Sequence, residues 1–159
     1  MKIKIICVGK LKEKYLKDGI SEYIKRLSRF CKTEIIELND EKIPDNASKA
    51  EEDIVIKNEG EKILKHIQKG EYVISLCVEG KSISSTGLAE KINEITLSGL
   101  STITLIIGGS LGIDDKIKNL SDFKLSFSKM TFPHQLMRLI LLEQIYRAFK
   151  INANEEYHK

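Results

Sequence analysis

Three stretches of this chain combine residue types that can do chemistry. Gly108-Gly109-Ser110-Leu111-Gly112 follows directly on the apolar run Ser101 to Ile107. Three glycines in five residues let a backbone turn sharply or pass close to a ligand. Ser126 to Gln135 combines hydroxyls, backbone amides and Phe127 and Phe132 just ahead of a helix. Such a segment offers hydrogen bonds and an apolar wall to a flat heterocycle. The chain closes on Glu156-Tyr157-His158-Lys159. A terminal tail either frays or, when docked, brings a polar aromatic and a titratable group to a site.

Other patterns fail on inspection. Gly80-Lys81-Ser82 ends like a phosphate-binding loop, but Ser75 stands where the first glycine of that motif belongs. It reads as a solvated loop. Gly108, Gly109 and Gly112 do not form GxGxxG, and they follow the fourth predicted strand, not the first. His66, His134 and His158 lack metal-ligand spacing, so no metal is expected, and His66 reads as a surface helix residue. Cys7, Cys31 and Cys77 are odd in number and form no CxxC, which argues against a disulfide framework and a zinc ribbon; Cys7 and Cys77 read as core residues.

The chain has 159 residues, 42% hydrophobic and 31% charged, a composition that suits one soluble domain spanning 1–159. A net charge of +3 does not by itself imply nucleic acid. The N-terminal apolar run Ile5 to Val8 is too short for a signal peptide, and Arg138 interrupts the most apolar stretch. A cytoplasmic protein with no membrane contact is expected.

Strand and helix signals alternate along the whole chain. Ile3–Val8, Thr33–Leu38, Glu71–Val78, Ser101–Ile107 and Leu125–Phe127 read as strands. Between them lie helices over Leu11–Phe30, from Ser48 to near Gly70, and from Ser84 or Ser85 to Gly99. Ser48 and Glu51 have capping-box spacing, and Pro133 opens a last helix to about Ile151. Alternation of this kind predicts an α/β fold on a mostly parallel sheet. The last helix is apolar around nearly its whole circumference, from Leu136 to Phe149. One face can meet the sheet; the other predicts a second subunit, hence a homodimer.

The stretches IIGGSLGI, LSFSKMTFPHQLMRLILLEQIYRAFKI and the terminal YHK, with the opening CVGKLKEKYLKDGISEYIKRL, resemble the bacterial large-subunit ribosomal RNA pseudouridine N3-methyltransferases. These are small members of the SPOUT class of knotted methyltransferases. The resemblance covers essentially the whole chain, and its second stretch is highly specific. One departure is Asn152 to Glu156, where the family often carries Arg-Gly. Asn154 is the expected stand-in for the glycine, because asparagine tolerates the left-handed conformation.

The resemblance implies a single-domain SPOUT fold with a C-terminal trefoil knot, acting as a homodimer. It implies S-adenosylmethionine bound by loops at Leu76 to Gly80, Gly108 to Ser110 and Phe127 to Phe132. The contacts expected are Leu76, Gly108, Gly109, Phe127, Ser128, Lys129, Met130, Thr131 and Phe132. The substrate implied is N3 of a pseudouridine in 23S ribosomal RNA of the assembled ribosome. That nitrogen must lose a proton, for which His158 and Tyr157 are the titratable candidates and Arg138 the candidate cation. His134 lies four residues before Arg138, on the same helix face. RNA is expected on Lys10, Lys12, Arg26, Arg29 and His134. Competing readings are a SPOUT enzyme with another target, such as transfer RNA, and a ribosome-associated RNA-binding protein without activity.

Overall fold

Apolar residues alternate along the strands, and that alternation decides what covers each face of the sheet. In the computed structural model, which describes residues 1–159, β1 (Lys2–Val8), β2 (Lys32–Leu38), β3 (Tyr72–Ser82), β4 (Thr102–Ile107) and β5 (Phe123–Ser126) form one sheet. The order is β2-β1-β4-β3-β5, and every pairing is parallel. Ile3, Ile5, Cys7, Ile103, Leu105 and Ile107 bury one face. Ile6, Val8 and Ile106 bury the other.

The helices are α1 (Lys14–Leu27), α2 (Lys49–Leu64), α3 (Ser85–Leu97), α4 (Asp115–Leu120) and α5 (His134–Asn152). The steps β1 to β2 and β3 to β4 run one way across the sheet; β2 to β3 and β4 to β5 run the other way. Right-handed crossovers therefore put α1 and α3 on one face and α2 and α4 on the opposite one. α5 lies between α1 and α3 and joins their core.

Local signals held at α2 and α3. Ser48 and Glu51 form the reciprocal capping box, and the Ser84 hydroxyl caps α3 through the Gly87 amide. Elsewhere the structure corrects the sequence reading. α2 ends at Leu64, short of Gly70. α4 was not foreseen; six residues are too few to show a period. Gly80-Lys81-Ser82 is strand, not solvated loop. β3 pairs with β5 through Leu76, bulges over 77–80, then resumes at Lys81 and Ser82. A Cβ on Gly80 would stand 2.8 Å from the backbone of Lys124 and Leu125, so this crossing requires glycine.

Lys4 was read simply as part of a strand, yet it is 3% exposed. Its Nζ donates to Glu71 Oε1 at 2.5 Å and to the His66 carbonyl at 2.6 Å, and Thr104 Oγ1 donates to Glu71 Oε2. Burial raises the Glu71 pKa, but the bonds from Lys4 and Thr104 outweigh it and hold the carboxyl below its usual range. A carboxylate depressed on folding stabilises the protein above the unfolded pKa; that contribution disappears as pH falls through the folded value. Lys4→Ala should cost about 3–5 kcal/mol by orphaning a buried charge, whereas the double change Lys4→Met, Glu71→Leu should cost less, because no charge is orphaned and only the Thr104 hydroxyl, the Gln68 amide and the His66 carbonyl lose partners. Chemical denaturation of both variants tests this, and a single variant as stable as wild type would refute it.

Candidate active site

The ends of β3, β4 and β5 and the head of α5 enclose a cleft of about 690 Å³, within the range of small-molecule sites. It opens at the carboxyl ends of parallel strands, where α/β sheets bind ligands. Leu76, Gly108, Gly109, Phe127, Ser128, Met130, Thr131 and Phe132 all line it. Lys129, expected with them, does not. Ile107, Ile113, Leu125 and Met137 add apolar wall; the strand pattern gave no means of singling them out from other core residues. The β3 bulge places Cys77 to Glu79 on the rim.

Each loop has a local cause. Gly112 adopts φ +94° and its amide donates to the Gly109 carbonyl at 3.1 Å, folding the glycine run back on itself. A Cβ on Gly108 would lie 2.6 Å from Ile113 Cγ1 and 2.7 Å from the Gly112 carbonyl oxygen. A Cβ on Gly109 would lie 2.8 Å from Glu59 Oε2. The glycines thus answer to the loop's own packing and to α2. In the third loop the Met130 amide donates to Ser128 Oγ at 3.0 Å.

His134, expected at the RNA, lines this cleft. Desolvation first, then the Arg138 charge, hold its pKa below the ordinary histidine value, which favours neutral imidazole.

Arg138 requires a correction. It lies outside the lining and is 0% exposed. Nη1 donates to Glu37 Oε2 at 2.7 Å and Nη2 to the Gly9 carbonyl at 2.6 Å. Glu37 also accepts from the Leu11 amide, and the Lys12 amide donates to Gln135 Oε1. In this chain Arg138 ties the loop after β1 to the head of α5, and its cation is already committed to Glu37.

The tail is docked. The Tyr157 ring meets Tyr146 edge-on at 5.0 Å, and the Arg147 guanidinium lies over it at 4.7 Å. Tyr157 O–H donates to Glu143 Oε1 at 3.2 Å, and Arg147 stands 3.5 Å from His158 Nδ1. Desolvation, then hydrogen bonding with Tyr23, push the Tyr157 pKa far up, which favours the protonated phenol that donates to Glu143. Glu143 and Arg147 complete the cluster; the sequence reading missed them because one-turn spacing on α5 shows no partner. Asn154 takes φ +53°, as expected of the residue replacing glycine before the tail. Within one chain the cluster and the cleft occupy opposite ends of α5. His134 and Arg147 are thirteen residues apart, roughly 20 Å of helix.

The profile described as "Predicted SPOUT methyltransferase" matches residues 1–158. The chain belongs to the SPOUT methyltransferase family. Relatives of this SPOUT chain extend along its whole length. The protein named ribosomal RNA large subunit methyltransferase H in Clostridium novyi is 64% identical over 159 residues, all of both chains. A Bifidobacterium adolescentis protein of the same name is 60% identical, and a Methanococcus maripaludis protein named as putative is 58% identical, both over the full length. Two solved structures share the fold. A probable methylase family protein from Haemophilus influenzae gives TM-score 0.53 at 12% identity, covering 99% of this chain and 70% of that one. The A. aeolicus TrmH/SpoU tRNA modifying enzyme gives 0.53 at 13% identity, covering 95% and 77%.

Proposed function

We propose that this SPOUT methyltransferase transfers a methyl group from S-adenosylmethionine to N3 of a pseudouridine in 23S ribosomal RNA of the assembled ribosome, as a cytoplasmic homodimer with a C-terminal trefoil knot. The observation that carries the reading is end-to-end identity of 58–64% with proteins named for methylation of large-subunit ribosomal RNA. The cleft supports the cofactor. It joins apolar walls from Leu76, Ile107 and Phe127 to the hydroxyls and amides of Ser128 and Thr131, which suits a nucleoside. S-adenosylmethionine, when bound, supplies an electrophilic methyl group on sulfur. Leu76, Gly108, Gly109, Phe127, Ser128, Met130, Thr131 and Phe132 would hold it, with Lys129 beside them.

The remaining work is to hold the base and manage its N3 proton. His158, the protonated Tyr157 and the Arg147–Glu143 pair form the polar cluster suited to that task. Its distance from the cleft in one chain supports a second subunit bringing it there. The surface of α5 agrees with such a dimer. α1 and α3 flank the helix, while the stripe Leu136, Ile140, Glu143, Arg147 is only half-buried. No helix is long and apolar enough to cross a membrane, and no three His, Cys, Asp or Glu residues gather as for a metal.

Mass spectrometry of ribosomal RNA nucleosides from cells with and without the protein tests the reading. Loss of N3-methylpseudouridine on deletion is expected; an unchanged nucleoside overturns the target. Methylation of transfer RNA in place of ribosomes would favour the other enzymatic reading, and no affinity for S-adenosylmethionine the non-enzymatic one.

A further inference from the structure

On α1, Lys14 and Arg26 pair within the chain, as does Arg29 just beyond it, while Lys17 and Lys25 do not. Arg26 Nε pairs with Glu22 at 2.8 Å, Lys14 with Asp18 at 2.6 Å, and Arg29 with Glu155. Arg29 also lies over the Phe30 ring. Such exposed pairs are weak and exchange readily for phosphate, so they do not argue against the RNA role expected of Arg26 and Arg29.

A different hollow keeps its charge. Lys10 after β1, Glu37 to Asn39 at the end of β2, and Lys62, Lys65 and His66 at the end of α2 enclose about 360 Å³, with Leu38 the one apolar residue. Two lining charges are cancelled locally. Glu37 is held by Arg138, and Lys62 pairs with Glu41 at 2.8 Å while donating to the Asn39 carbonyl. Lys10 and Lys65 have no carboxylate within ion-pair distance, and both are exposed. Two uncommitted ammonium groups thus flank a polar hollow whose one carboxylate, Glu37, is paired with Arg138 through Oε2.

Its position matters. The loop carrying Lys10 is the one Arg138 and Gln135 fasten to the head of α5, where the cleft begins. β1 separates β2 from β4, so the strand ending at the hollow lies two inter-strand spacings, roughly 10 Å, from the strand ending at the glycine loop. A single RNA strand spans such a distance within a few nucleotides.

We propose that the Lys10–Lys65 hollow is a phosphate-binding subsite for the RNA strand whose base enters the cleft. This rests on the reading of the protein as an RNA methyltransferase. Phosphate contacts fix register without reading sequence, and each one adds to the salt dependence of binding.

The test measures binding of intact ribosomes against salt for wild type, Lys10→Ala, Lys65→Ala and the paired control Lys49→Ala, whose ammonium is held by Asp53. Calorimetry with S-adenosylmethionine reports folding in each. Lys10→Ala and Lys65→Ala should each weaken ribosome binding several-fold, and each should reduce the slope of log K against log salt by about one. Lys65→Arg should restore both, and Lys49→Ala should change neither. Unchanged slopes in Lys10→Ala and Lys65→Ala, or an equal loss in Lys49→Ala, would overturn the subsite and leave the enzymatic reading standing. A wild type that binds S-adenosylmethionine but no ribosome would overturn the ribosomal target, and with it the subsite as stated.

Discussion

Deletion of Tyr157 to Lys159 is expected to leave the fold and the affinity for S-adenosylmethionine intact while reducing methyl transfer to ribosomes by about 100-fold or more. The tail adds no residue to the buried core, and neither Tyr157 nor His158 lines the cleft. What it contributes is polar chemistry: a phenol bonded to Glu143, an imidazole beside Arg147, and a guanidinium over the Tyr157 ring. A tail of purely structural value would lower the melting temperature and spare the rate; the opposite pattern is expected.

Mixed dimers locate the tail. One subunit carries Gly109→Val and the other the deletion. If cleft and tail of one active centre come from different subunits, both lesions fall in one centre and the other stays whole, so activity partly returns. If each subunit works alone, both centres are damaged and activity stays lost. Full activity of the simple deletion would show that the tail has no part in the reaction.

The residues that were legible in the sequence are those whose partners are near in sequence or whose pattern is periodic. Ile103, Leu105 and Ile107 could be assigned to a buried strand because apolar β-branched runs admit few other fates. Ser48 with Glu51, and Asn154 at positive φ, follow from local backbone demands. The loops of the cleft were legible through their glycines and through likeness to a family. Long-range pairing was not. Nothing adjacent to Arg138 says that it meets Glu37 and Gly9, more than a hundred residues away. Lys4 looks like any strand lysine until Glu71 folds against it. The β3 bulge was hidden because a register shift against β5 leaves no mark in the pattern of Cys77 to Gly80.

Glu59 shows the same limit and yields the sharpest test of the cleft. The residue is 5% exposed on α2, and its Oε1 accepts from the Glu41 amide at 3.1 Å. Desolvation raises its pKa, only partly offset by that amide. Its other oxygen occupies the space a Gly109 side chain would need. Gly109→Ala must therefore displace either Glu59 or the loop, and overpacking of this kind costs about 1–3 kcal/mol. Felt at the loop, that corresponds to roughly 5- to 150-fold weaker binding of S-adenosylmethionine. Adding Glu59→Ala removes the obstructing carboxylate, so the double variant should bind within a few-fold of Glu59→Ala alone. Calorimetry separates the possibilities. Rescue means that Gly109 is dictated by α2. A double variant as weak as Gly109→Ala means that the ligand itself fills the space. Undiminished affinity in Gly109→Ala means that the cofactor binds elsewhere.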